Sequence, residues 1–91
     1  MEMKGLFEAR VNPNGEINLQ WDSYENAVSY IVEFSVLRRS KNTRLEILDI
    51  ISDSCYTVRN LKSNKIYLFR ISIIDKNGQT LSFAEIAEKA S

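Results

Sequence analysis

The chain has 91 residues, 44% of them hydrophobic, with 12 Lys+Arg set against 12 Asp+Glu. A chain of that length buries about two-thirds of its surface around one core; its apolar content excludes a disordered tail, and its neutrality argues against nucleic-acid binding through bulk charge. The lack of histidine and the single cysteine exclude a Ser-His-Asp triad, a Cys-His pair, a His- or Cys-based zinc site and an internal disulfide.

Short β-strands are predicted from end to end. Leu6 to Val11 and Ile17 to Trp21 flank Asn12-Pro13-Asn14-Gly15, a hairpin turn signal. Ile17, Leu19 and Trp21 alternate and share one face. Asp22 to Ser29 is polar and irregular, hence a loop. Tyr30 to Leu37 is rich in β-branched and aromatic residues, a third strand. Arg38 to Thr43 reads as a basic turn and Arg44 to Asp49 as a short strand with Leu45 and Ile47 inward. Asp53-Ser54 opens a fifth strand with Tyr56 and Val58 inward. Leu61 to Lys65 is a polar bend, and Ile66 to Asp75 is the longest β run. Lys76-Asn77-Gly78-Gln79 turns the chain back into a last strand, Thr80 to Ile86. By composition Leu81 to Ala90 also suits a short helix, but the preceding turn demands a strand partner. Strand signals at about 8–12-residue spacing indicate a sandwich or barrel. No apolar run approaches the roughly 18 residues of a membrane span.

The expected core is Leu6, Ile17, Leu19, Trp21, Tyr30, Val32, Phe34, Leu45, Ile47, Tyr56, Val58, Leu61, Tyr67, Phe69, Ile71 and Ile73. Four motifs then carry a resemblance. Ile17-x-Leu19-x-Trp21 looks like the second strand of a fibronectin type III module, and Tyr30-x-Val32-x-Phe34 resembles its third. Leu61 and Tyr67 are similar to its tyrosine corner, in which the hydroxyl bonds back to backbone at the bend. Asp75-Lys76-Asn77-Gly78 looks like the turn into its last strand. The match runs from about Gly5 to Ile86. It implies an all-β, seven-stranded antiparallel immunoglobulin-like sandwich over 5–86, with a flank over 1–4 and a tail or linker over 87–91. Trp21, Tyr30, Leu61 and Tyr67 are its structural residues. The chain departs from the family pattern at Lys62-Ser63-Asn64-Lys65, where Pro-Gly is common, and its last turn holds no Arg-Gly-Asp.

Candidate sites lie outside the core. If the third and sixth strands pair antiparallel, Ile31, Leu37, Leu68 and Ile74 face outward and suit an interface; the bland alternative is that long neighbours such as Arg70 cover them. Arg38, Arg39, Lys41 and Arg44 cluster about one turn and suit an acidic glycan or an acidic protein, or else are simply solvated. Tyr24 either makes a loop contact or caps the end of the core. Cys55 points outward with no histidine or adjacent lysine to activate it. Glu46, Asp49 and Asp53 lack the spacing of a calcium loop. No catalytic residue, cofactor, metal or nucleic-acid partner is expected.

The expected function is a non-catalytic spacer or protein-interaction module. Its partners would be neighbouring domains of a parent chain or another protein, with weak self-association. The resemblance implies a larger bacterial extracellular or cell-surface protein, of the kind that carries carbohydrate-active domains; the lone thiol leaves a cytoplasmic location open. The alternative is a ligand-binding module that uses the basic turn from Arg38 to Arg44.

Overall fold

The two Asn-Gly pairs set the hairpins. Gly15 sits at φ 90° and Gly78 at φ 78°, a backbone region that costs glycine little. Asn12 N–H donates to the Glu16 carbonyl at 2.9 Å, and Asp75 N–H to the Gln79 carbonyl at 3.0 Å. The Asp75 carboxylate adds a second lock, accepting from the Asn77 and Gln79 amides at 2.9 Å each.

The structure, a computed structural model, describes residues 7–37 and 44–91. Seven strands follow in order: β1 Phe7–Val11, β2 Ile17–Trp21, β3 Ser29–Val36, β4 Glu46–Ile51, β5 Cys55–Val58, β6 Ile66–Ile74 and β7 Thr80–Lys89. They form two antiparallel sheets, β1-β2-β5 and β4-β3-β6-β7. Period-2 alternation sends one side of each strand between the sheets. Ile17, Leu19, Trp21 and Val58 from the smaller sheet meet Tyr30, Val32, Tyr67, Phe69, Ile71 and Ile73 from the larger. Phe7, Ala9, Val11, Phe34, Val36, Tyr56, Leu61 and Ile86 pack around them, half-buried.

The fourth strand corrects the sequence reading. Ile47, expected in the core, is 61% exposed. Val32 pairs with Asp49 but Glu33 pairs with Ile47, so Leu48 is a bulge residue. One extra residue reverses which side the rest of the strand faces. Leu48 and Ile51 therefore pack on the core instead, while Leu45 lies ahead of β4, half-buried and outside the core cluster. Leu6 falls outside the described residues. Leu48→Ala is expected to cost about 1–2 kcal/mol, and Ile47→Ala less than about 0.5 kcal/mol, by urea unfolding. The reverse order would remove the bulge from the register.

The last strand also runs further than its expected end at Ile86, and no helix forms there. Ala87, Glu88 and Lys89 pair with Leu68, Tyr67 and Ile66, because β6 already begins at Ile66. Ala90 follows as a buried residue, with its amide donating to the Lys65 carbonyl and its carbonyl accepting from Asn64, both at 2.9 Å. Residues 87–91 are thus part of the sandwich and not a tail.

Candidate functional site

The outward sides of the two sheets differ in chemistry. The smaller sheet presents Glu8, Arg10, Asn18, Gln20, Cys55 and Thr57, with the Thr57 hydroxyl donating to Asn18 Oδ1 at 2.8 Å. That is an ordinary solvated face. The larger sheet presents aliphatic side chains. Six large hydrophobics are exposed among the described residues, and four of them belong to this face: Ile47, Ile50 at 57%, Ile66 at 45% and Leu37 at 42%. The pairings Ile31 with Ile50 and Glu33 with Ile47 fix the outward direction of the β4 residues.

Cross-strand register orders this face into rows. Ile50, Ile31, Ser72 and Phe83 form one row. Ser72 is buried there although it points outward, with Ile31 and Phe83 in register on its two sides. The next row is Ile47, Glu33, Arg70 and Glu85. Arg70 donates to Glu85 Oε2 from Nε at 2.9 Å and from Nη2 at 2.7 Å, and its Cζ lies 4.9 Å from the Phe83 ring centre. At about one-third exposure this pair is worth about 0.2–1 kcal/mol. Glu33 makes no ion pair among the described residues. Beyond lie Ser35, Leu68 and Ala87, and then Leu37 and Ile66, which are joined by the Leu37 amide bond to the Ile66 carbonyl at 2.8 Å.

The structure places all four of the expected interface residues on this side. Leu37 is exposed, and Ile31, Leu68 and Ile74 are half-buried. Sequence parity missed Ile47, Ile50 and Phe83. The doublets Ile47-Leu48 and Ile50-Ile51 break alternation and so place one apolar residue of each outward, but only the pairing with β3 settles which one. Arg38, Arg39 and Lys41 fall outside the described residues, and Arg44 is exposed. Tyr24 caps the core: it packs against the cluster, and its amide donates to the Tyr30 hydroxyl at 2.9 Å. Cys55 is exposed and free.

The two ends of the sandwich hold open grooves. One, of about 510 Å³, is lined by Asn14, Glu16, Arg59, Asn60, Ser63 and Ser91 among others. Arg59 Nε donates to Glu16 Oε2 at 2.8 Å and Asn14 Nδ2 to Glu16 Oε1 at 3.1 Å. Arg59, and then Asn14, hold the Glu16 carboxyl below its ordinary pKa. A depressed carboxyl adds stability above its unfolded pKa and loses it as pH falls through the folded one. The groove's charges are thus already satisfied by each other. The other, of about 400 Å³, lies between the β2–β3 loop and the β6–β7 turn, with Val28 and Leu81 exposed at it. Among the described residues no cluster of His, Cys, Asp and Glu could hold a metal ion, and no helix is long and apolar enough to cross a membrane.

The tyrosine corner decides the fold type. The Tyr67 hydroxyl accepts the Lys62 amide at 2.9 Å, where the chain bends from one sheet to the other. With the sheets divided three and four, the fold is fibronectin type III-like. The crystal structure of a Fn3-like protein from Clostridium thermocellum is similar over 89% of this chain and 83% of that one, at 24% identity and a TM-score of 0.73. No family model matches the chain, and no curated protein matches it. The interior of the sandwich is filled by side chains from both sheets.

Proposed function

We propose that this fibronectin type III-like sandwich is a non-catalytic protein-interaction module that docks through the outer face of its larger sheet. One observation supports the reading above others: four large aliphatics stand exposed on that face, while the opposite sheet's outer face is polar. Apolar area gathered on one side of a soluble domain marks an interaction surface. The edge of β4 is a poorer docking site. The Leu48 bulge interrupts it, and Asp49 Oδ1 already accepts the Ile50 amide at 2.8 Å. The setting that suits such a module is a larger bacterial extracellular protein, where it acts as spacer and contact unit. An immunoblot of cell fractions, read for band size and compartment, checks that setting.

Site-specific photocrosslinking in source cells tests the docking face. A photoreactive residue at Leu68 is expected to give protein adducts, and one at Asn18 on the polar face to give none. Adducts in equal yield from both positions would overturn the reading. Leu68→Lys adds a charge to the docking face at a residue outside the core cluster. It is expected to change unfolding free energy by less than about 0.5 kcal/mol while removing the adducts formed from a probe at Ile31.

A further inference from the structure

The docking face has a charge pattern that selects its occupant. Its central row reads Ile47, Glu33, Arg70, Glu85 across the four strands. Consider a second copy laid face to face, with the two-fold axis parallel to the strands and midway between β3 and β6. The axis exchanges β3 with β6 and β4 with β7 at the same row. Each Glu33 then faces the other copy's Arg70. An axis across the strands through this row would instead set Glu33 on Glu33 and Arg70 on Arg70. Only the first arrangement pairs opposite charges. It also sets Ile50 against Phe83 and Leu37 against Ile66, apolar on apolar. Glu85 meets Ile47 at the rim, where sheet twist splays the layers and admits water.

We infer that the occupant of this face is a second copy of the chain, in an isologous sheet-on-sheet dimer whose dyad runs along the strands between β3 and β6. This rests on the docking reading above. Strand directions in such a dimer stay within about 30°, the aligned packing of β-sheets. The area sets the strength. Four strands about 4.8 Å apart, each contributing six to eight residues at about 3.3 Å, give a face on the order of 500 Å² per copy. Stable dimers of free proteins bury about 800 Å² per partner. The dimer is therefore weak and reversible, and fills as concentration rises toward about 1 mM. Glu33, with no ion pair among the described residues, is the specificity element: its two symmetry-related contacts with Arg70 fix the axis.

Sedimentation equilibrium over a concentration series tests the assignment. The wild-type chain is expected to move from monomer toward dimer, and Leu68→Lys to remain monomeric. Glu33→Arg and Arg70→Glu are each expected to remain monomeric alone, because each sets like charges across the dyad. Mixed in equal amounts they are expected to form a heterodimer, since both contacts are then opposite in sign. A wild-type chain that stays monomeric at the highest concentration overturns the second-copy assignment, while the crosslinking at Leu68 decides the docking reading separately. A dimer that survives Leu68→Lys overturns the assignment by placing the contact elsewhere. A wild-type dimer lost in Leu68→Lys, together with a mixture that stays monomeric, overturns the axis. Arg70→Glu also loses the Glu85 and Phe83 contacts, so Glu33→Gln serves as the second variant. Loss of two exposed pairs should weaken the dimer by about 2- to 30-fold. An unchanged constant overturns the assignment.

Discussion

Trp21→Ala is expected to lower the unfolding free energy by about 3–5 kcal/mol. Trp21 is among the largest fully buried side chains, at the end of β2. Phe7 meets it edge-on at 6.4 Å between ring centres, and Tyr30 at 5.5 Å. It thus joins both sheets, since Phe7 lies in the smaller and Tyr30 in the larger. Removing the indole leaves a void with one wall on each sheet, which close packing on either side resists filling. Domains of this size hold about 5–15 kcal/mol in total, so the loss is a large share of the whole. Trp21→Phe should be milder for two reasons. It keeps much of the ring contact, and it removes Nε1, a buried N–H with no hydrogen-bond partner among the described residues. An unsatisfied buried donor costs about 1–3 kcal/mol. Urea unfolding followed by circular dichroism measures both variants, because Trp21 is the sole tryptophan and its fluorescence is lost. A loss under about 1 kcal/mol for the alanine variant would remove Trp21 from the core.

Those parts of the fold written in local chemistry were legible in the sequence. The turns at Asn14-Gly15 and Asn77-Gly78 required a positive φ that the residues themselves announce. Ile17, Leu19 and Trp21 declared their face through alternation alone. What escaped depends on pairing between distant segments. The bulge at Leu48 exists because β4 must pass both Val32 and Glu33 in register, and no residue within β4 states which partner it will meet. The length of β7 is set by where β6 begins, at Ile66, and not by its own composition. Ala90 is buried because Lys65 and Asn64 bind its backbone, which its small side chain does not reveal. The candidate face shows the same division. Parity along β3 and β6 gave Ile31, Leu68 and Ile74, whereas Ile47 and Ile50 join them only through the bulge, and Phe83 through the β6–β7 register.

Tyr67 separates what a ring contributes from what a hydroxyl contributes. The ring lies in the core, stacked 6.1 Å from Phe34 and 6.2 Å from Phe69. Tyr67→Ala removes it and is expected to cost about 3–5 kcal/mol. Tyr67→Phe removes only the oxygen that accepts the Lys62 amide, at an expected cost of about 1–2 kcal/mol. The two losses differ in kind as well as in size. Lys62 is an exposed residue between β5 and β6, so its amide owes its protection to this one bond, and hydrogen exchange there should quicken in Tyr67→Phe while Ile71 and Val32 stay protected. An unchanged Lys62 exchange rate would mean that the corner is not closed in solution. The consequence reaches the docking face. β6 enters the larger sheet immediately after this bend and carries Leu68, Arg70 and Ile74 outward between β3 and β7. A loosened corner frees the start of β6, so Tyr67→Phe should also weaken any association that needs Leu68 and Arg70 in register with Glu33, without altering a single residue on that face.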